Sequence, residues 1–349
     1  MDYRIKYRYE DFIVNEVSMI NYLDLKEYGQ YTYFYITKRG ISSFELAEHV
    51  AKIFECAVSQ ITFSGLKDEE GITSQLMAVN KSLDRDRTLA VIRSFHDSNL
   101  LEMKLLGYSD HGLKIGKLLG NSFKICIRNL DAALIEHMKS HMVSNRYFMP
   151  FVNYYDDQRF GMPGRVKNTH KIGEAIIHDD LGRAVDEYVK ANPAIELLEI
   201  SSQGPALEVF SRIEPDKYVF FLNSHMSYHW NEKVEHIIKD NTDTLCYVPC
   251  EVHNWAIPLN VTNLIASVGM ETEYCYYKYS ADGLTVKKSQ RKIFDFATLY
   301  FSDFDRDEFF DGKYKMSVSF FLNSGQYATM VLKQLMMRLE QEYEKVKLR

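Results

Sequence analysis

The sequence predicts an α+β fold, in which a mixed sheet with flanking helices is built from both ends of the chain and interrupted by a mostly helical insertion. Three observations carry this expectation. Residues 1–148 alternate strand-like and helix-like patterns. From about Met149 to Gln290 the pattern changes to longer helical periodicities and less regular stretches. The last segment then returns to a strand followed by a long amphipathic helix. The expected boundaries are 1–148 with 291–349 for the discontinuous domain, and 149–290 for the insertion.

Each element has its own local reason. Residues 31–37 (YTYFYIT) are aromatic and β-branched, which favours a strand. Ser42 and Glu45 have capping-box spacing, and Leu46, Ala47, Val50, Ile53, Phe54 and Ala57 recur at helical period, predicting a helix over 42–57. Two short strand-like runs, 60–63 (QITF) and 73–79 (TSQLMAV), flank a glycine-opened turn. Residues 100–108 and 122–128 (SFKICIR) are further strands. Over 131–143 a helix places Leu134, Ile135, Met138 and Met142 on one face. His137 and His141 lie one turn apart there but lack an intervening Glu or third ligand, so they read as surface histidines. The insertion shows helical patterns over 173–190 and 219–238. Finally, 313–321 (KYKMSVSFF) is a strand, and Ser324 caps a helix carrying Tyr327, Met330, Val331, Leu335, Met336, Leu339 and Tyr343.

Composition excludes several classes. Hydrophobic residues at 46% and charged residues at 26% are ordinary for a globular chain, and 349 residues suffice for two domains. No apolar run approaches the roughly 18–20 residues that span a bilayer, so no membrane partner is expected. The charged start MDYRIKYRYEDF lacks the apolar core of a secretory signal, which points to the cytoplasm. Five scattered cysteines form no disulfide framework. Cys246, Cys250 and His253 have no second ligand pair, so no metal is expected. The net charge of −6 weighs globally against a nucleic-acid partner, but a local basic cleft decides that question.

The turn GLKDEEGITSQ, 65–75, is the most informative stretch. It sets Asp68 on a tight loop at the end of a strand, held by scaffold yet reachable by a ligand. Alone it reads as a solvated hairpin. Four other segments accompany it: EDFIVNE with Asp11, Phe12, Val14 and Glu16 after Lys6; LLGNSF at 118–123; NYYDDQRFG at 153–161; and GQYATM at 325–330. Singly these read as an amphipathic strand, a glycine turn, a polar loop and a helix start.

Together, in this order, they resemble the TruD family of pseudouridine synthases. That family's pattern runs from a leading Lys through DF-x-V-x-E, G-x-KD-x-x-A-x-T-x-Q, GN-x-F and NYFG-x-QRFG to G-S/Q-Y/F-AT. The resemblance covers residues 6 to about 335, with weaker support from TH-x-IG at 169–173 and SY-x-WN at 227–231. It implies a pseudouridine synthase catalytic domain interrupted by a TruD insertion, and a cofactor-free enzyme that isomerises uridine in RNA. The implied RNA is a tRNA, modified in the D-stem region at a nucleotide of the position-13 type. Nothing in the sequence suggests an obligate protein partner, and a monomer is expected.

By the same resemblance Asp68 is the catalytic aspartate, either attacking the ribose or removing a sugar proton, and Lys6 is its cationic partner. Phe123 matches the aromatic that stacks on the target base, and Asn121 orients the loop or hydrogen-bonds near Asp68. RNA contacts are expected from Lys67, Gln75, Arg128, Asn153, Gln158 and Arg159, with bracing of the catalytic loop an equal reading for Gln158 and Arg159. Lys67 faces either phosphate or the surrounding fold, and Glu69 and Glu70 read as solvated turn residues. Lys114, Lys117, Arg165, Lys167 and Lys171 are additional candidate RNA cations.

Three positions depart from the pattern. Gly71 stands where Ala is common, Asp156 replaces the glycine of NYFG, and Met226 replaces a Gln. The first is expected to matter little. The second is tolerable if Asp adopts a positive φ there, though its charge would alter RNA approach. Two rivals remain: an idle RNA-binding protein on the same scaffold, and a hydrolase pairing Asp68 with Glu69 or Glu70. The hydrolase ranks last, because glycosidases need carboxyls roughly 5–9.5 Å apart across a sugar and turn neighbours rarely face one site.

Overall fold

The computed structural model describes residues 2–142, 144–161, 165–191, 215–280 and 283–347. In chain order the strands are β1 (Phe12–Ser18), β2 (Tyr31–Arg39), β3 (Ile61–Phe63), β4 (Ile72–Val79), β5 (Leu100–Ser109), β6 (Leu118–Leu130), β7 (Arg146–Val152), β8 (Leu245–Val248), β9 (Trp255–Pro258), β10 (Glu271–Ser280), β11 (Gly283–Lys292), β12 (Phe294–Arg306) and β13 (Tyr314–Asn323). The described helices are α1 (Ser43–Ile53), α2 (Arg85–Ser94), α3 (Ala132–His141), α4 (Thr169–Ile177), α5 (Leu181–Ala191), α6 (Pro215–Asn241), α7 (Val261–Val268) and α8 (Ala328–Lys347). Two compact units result, 1–149 with 297–325 and 342–349, and 150–296 with 326–341.

The first unit is organised by a nine-stranded sheet of order β5-β2-β4-β1-β6-β13-β12-β7, with β3 paired to β4. β1 and β4 run parallel, while β2, β3 and β5 on one side and β6 and β13 on the other add antiparallel pairings. A mixed sheet with helices is the α+β class the sequence predicts.

Register aligns Lys38 with Thr73, Thr73 with Val14, Val14 with Phe123 and Phe123 with Phe320. Cross-strand partners share a face, so these five residues form one row across five strands. Two residues further along their strands, Gln75, Glu16 and Asn121 form a second, polar row, in which Glu16 pairs with Asn121. On the same face α1 packs Leu46 and Val50 against Phe34, Ile36, Met77 and Val79. Each such buried aliphatic contributes about 1.5–3 kcal/mol. Ser42 caps α1 with Glu45 in a reciprocal box, as its spacing predicts.

Several boundaries differ from expectation for local reasons. α1 ends at Ile53, short of Ala57, because Glu55 turns left-handed (φ 48°) and the Cys56 N–H closes on the Ala51 carbonyl at 3.0 Å. LLGNSF is strand, not turn, and Gly120 is required because a Cβ there would lie 2.0 Å from the Leu322 carbonyl oxygen. Ser324 does not cap α8. Its N–H donates to the Leu119 carbonyl at 3.0 Å, Gly325 then reverses the chain at φ 84°, and the helix starts at Ala328. The end of the helix expected over 131–143 lies outside the described residues at position 143.

The second unit holds a core of Tyr154, Phe160, Trp230, Val234 and Trp255. The pattern over 173–190 is two helices, α4 and α5, broken where Asp179 adopts φ 58°. Two hairpins, β8–β9 and β10–β11, stand beside the helices and were not expected from the sequence.

Candidate active site

The loop 64–71 that carries Asp68 is fixed from behind by two side chains. Lys38, wholly buried, donates from Nζ to the carbonyls of Ile41 at 2.6 Å and Asp68 at 2.7 Å. Burial pushes its ammonium down to about 8, against the opposing pull of Asp68 and Glu69. Ser43, at the start of α1, accepts the Lys67 backbone N–H at 3.0 Å and donates to Gln75 Oε1 at 3.3 Å. Where the loop enters β4, a Cβ on Gly71 would lie 2.3 Å from the Phe12 carbonyl oxygen. That glycine lets β4 begin against the start of β1. The Asp68 side chain is left 29% exposed, at the front of a braced loop.

Lys6 reaches the same place by a different route. Arg4 and Arg128 exchange two backbone hydrogen bonds, 3.0 and 2.8 Å, laying the N-terminal segment along β6. The chain then turns at Lys6, which adopts φ 56° despite carrying a side chain. Such a conformation costs on the order of 1–3 kcal/mol and persists where the surroundings enforce it. Lys6 Nζ thereby stands 3.7 Å from Asp68 Oδ1, 3.5 Å from Glu70 Oε2 and 4.4 Å from the Phe12 ring centre. An ammonium on a desolvating aromatic face strengthens its pull on a nearby carboxylate.

Phe123 belongs to the wall behind this pair. It is 6% exposed, with Phe320 stacked on it at 5.4 Å and Phe12 edge-on at 6.3 Å. Beside it lies the polar row. Glu16 Oε2 meets Lys67 Nζ at 2.7 Å in a buried ion pair. Glu16 Oε1, Asn121 Oδ1, Gln75 Nε2, Thr73 Oγ1 and Ser64 Oγ are buried without a hydrogen-bond partner among the described residues. These atoms make the interior beside Phe123 polar. Neither Lys38 nor the Glu16–Lys67 pair was picked out from the sequence. The signal for Lys38 was its position in β2, two residues after Ile36 and four after Phe34, on the buried face.

Four of the RNA contacts expected from the sequence are corrected by burial and existing partners. Arg128 is fully buried: its guanidinium donates to both Asp11 oxygens at 2.7 and 2.8 Å and to Asp307 at 3.0 Å. Hydrogen bonds from Arg128 and Lys315 hold the neighbouring Glu308 carboxyl down at about 2. Lys67 is committed to Glu16, and Gln75 is buried against Ser43. Asn153 is buried with its amide donating to the Lys292 carbonyl at 3.1 Å. All four are braces.

Gln158 is exposed, and Arg159 is half-buried, donating to Ser227 Oγ at 3.0 Å. Lys114, Lys117, Arg165 and Lys171 are exposed and Lys167 half-buried. The SY-x-WN segment acts within the second unit, where Asn231 makes two 2.9 Å hydrogen bonds with the Tyr155 backbone.

Asp156 adopts φ −96°, so no left-handed backbone is needed there. Its charge is also neutralised: Lys333 donates to Asp156 and Asp157 at 2.7 Å each, and Thr329 donates to Asp156. Asp156, Asp157 and Cys250 cluster closely enough to suggest a metal site. The cation between them is the Lys333 ammonium. Burial disfavours its charge, but the two carboxylates outweigh burial and hold it protonated, while burial pushes the Cys250 thiol up.

Residues 1–200 match the family model described as tRNA pseudouridine synthase D (TruD). The chain is 28% identical over 264 residues to tRNA pseudouridine synthase D of Aquifex aeolicus, covering 66% of this chain and 65% of that protein. It is 26% identical to a protein of Methanocaldococcus jannaschii described as probable tRNA pseudouridine synthase D 2, covering 95% and 90%. A Methanosarcina mazei crystal structure described as TruD superposes with TM-score 0.60 at 20% identity, covering 95% of this chain and 92% of that one, a likeness of fold. No described helix is long and apolar enough to cross a membrane. With the family model matched over more than half its length, the chain belongs to the tRNA pseudouridine synthase D (TruD) family.

Proposed function

We propose that this chain isomerises uridine to pseudouridine in tRNA, at a nucleotide in the D-stem region, with Asp68 as the catalytic carboxylate. The observation that carries the reading is the Lys6–Asp68 pair at 3.7 Å on a loop braced by Lys38, in a chain of this family.

The isomerisation breaks the N1–C1′ bond of uridine and forms a C5–C1′ bond. The C5 hydrogen leaves as a proton, N1 gains one, and no electrons are exchanged. A base inside a stem must first leave the stack, at about a few kcal/mol. Asp68 then acts on the exposed nucleotide, as nucleophile on the ribose or as base toward a sugar proton. Both roles use the carboxylate, beside which the Lys6 ammonium stands at 3.7 Å. Asn121, paired across the strands with Glu16, is assigned to orienting the catalytic loop or hydrogen-bonding near Asp68. Phe123 supports the aromatic wall beneath Lys6 through Phe12, and a base entering beside it gains stacking worth about 1–3 kcal/mol. Gln158 and Arg159 are the candidate RNA contacts of the second unit.

The test is to incubate the protein with an unmodified tRNA transcript and map pseudouridine by primer extension after carbodiimide labelling. One stop in the D-stem region is expected. Complete absence of pseudouridine across a panel of tRNA transcripts would remove the proposal.

A further inference from the structure

The β10–β11 hairpin forms a two-stranded sheet of its own whose faces differ in charge. Register pairs Tyr274 with Ser289, Tyr276 with Lys287 and Lys278 with Thr285, so these six side chains share one face. The opposite face also carries tyrosines, Tyr277 and Tyr279, but its lysines Lys288 and Lys292 stand among the acids Glu271 and Glu273, with Lys288 bonded to Glu273 at 3.0 Å. The hairpin is anchored along the edge of β10, and Tyr274 of the first face packs against the core of the second unit. The Tyr277 N–H donates to Asn223 Oδ1 at 2.7 Å and its carbonyl accepts from Asn223 Nδ2 at 2.9 Å, fixing β10 along α6.

On the first face, cations and rings alternate without acids. Lys278 and Lys287 are exposed and make no ion pair among the described residues. The Tyr274 and Tyr276 rings stack at 6.0 Å with an interplanar angle of 13°. The strip continues toward the hairpin base, where Tyr155 lies 5.9 Å from Tyr274 and the Arg291 guanidinium sits 3.9 Å above Tyr155. Arg159 flanks the same Tyr155 ring at 5.8 Å.

In a chain whose net charge is −6, a face that carries cations and stacked rings but no acid is a segregated feature. Phosphates suit the two lysines, and an unstacked base suits a tyrosine platform.

We infer that this hairpin face binds RNA: Lys278 and Lys287 take successive phosphates, and Tyr276 takes the face of an unpaired base, in the tRNA substrate but outside the nucleotide that is modified. The inference rests on the tRNA reading above and adds a second contact surface to it. An acidic protein segment would satisfy the lysines but leaves the paired rings without a role.

The test reads tRNA affinity by fluorescence anisotropy at several salt concentrations, for wild type, Lys278→Gln/Lys287→Gln, Tyr276→Ala and Lys288→Gln. The double variant should bind at least tenfold more weakly, with a salt slope shallower by about 1.4–1.8 in log–log form. Tyr276→Ala should lose about fivefold to a hundredfold, and Lys288→Gln, on the other face, less than twofold. If wild type binds tRNA and the double variant matches it in affinity and slope, the hairpin inference is overturned while the function stands. Losses no larger than those of Lys288→Gln also overturn it. A wild-type protein with no affinity for tRNA would instead defeat the functional reading itself.

Discussion

The Lys38 ammonium, fully buried, donates to the backbone carbonyl of Asp68 at 2.7 Å. A buried cation thus stands behind the candidate catalytic residue, and Lys6 stands in front of its carboxylate. Lys38 holds backbone and does not touch the reacting groups, so its role is positioning. Lys38→Met keeps the length and removes the donor. It should lower kcat for tRNA by about 10–100-fold, the scale of a misplacement near 1 Å, with KM little changed. An equal loss in KM would place Lys38 in binding.

The same residue sets a pH signature. Its folded value is lowered from 10.5 to about 8, so between those limits the unfolded chain binds more protons than the folded one. Stability therefore rises with pH across that window as the burial penalty is relieved, and is insensitive to this group below it. The charged groups facing it are Asp68, Glu69, Lys67 and Glu45. In urea unfolding, the difference between wild type and Lys38→Met should move in favour of wild type by on the order of 1–3 kcal/mol from pH 8 to 10.5. A flat difference would show that Lys38 is not buried as an ammonium.

Arg128 should matter for stability and not for RNA affinity. Arg128→Met removes the buried guanidinium from Asp11 and Asp307, leaving Asp11 the half-exposed Arg8 at 3.2 Å and Asp307 only backbone donors, a loss of about 3–5 kcal/mol. Chemical denaturation measures it. Folded variant protein should bind tRNA as wild type does. Weakened binding with unchanged stability would return Arg128 to the RNA contacts.

Gly71→Ala, a small change on paper, should destabilise by about 1–3 kcal/mol through overpacking, because the new Cβ meets the Phe12 carbonyl at 2.3 Å. Thermal unfolding tests this. A Tm equal to wild type would mean that β1 moves away easily.

Activity should survive a chelator. The acidic cluster of Asp156, Asp157 and Cys250 already holds the Lys333 ammonium, so EDTA has no cation to remove there. Loss of activity in EDTA, restored by a divalent ion, would contradict that assignment.

What the sequence made legible was local or motif-borne. The Ser42–Glu45 box starts α1 as its spacing requires, and the order of motifs brought Lys6 and Asp68 into one expectation before any distance was known. What it hid was long-range. Arg128 reads as a surface cation because its partners Asp11 and Asp307 lie 117 and 179 residues away, and only the sheet register joins them. Gly71 looks replaceable until the start of β1 is placed against it. The β10–β11 hairpin escaped notice because β11, GLTVKKSQRK, has too few apolar residues to show a two-residue period.

The most direct measurement is single-turnover pseudouridine formation in tRNA by wild type and by Asp68→Asn, at enzyme concentrations that saturate the RNA for both. Wild type should convert the RNA completely, and the variant should yield no product although its tRNA affinity is retained. Conversion by Asp68→Asn at a comparable rate would contradict it.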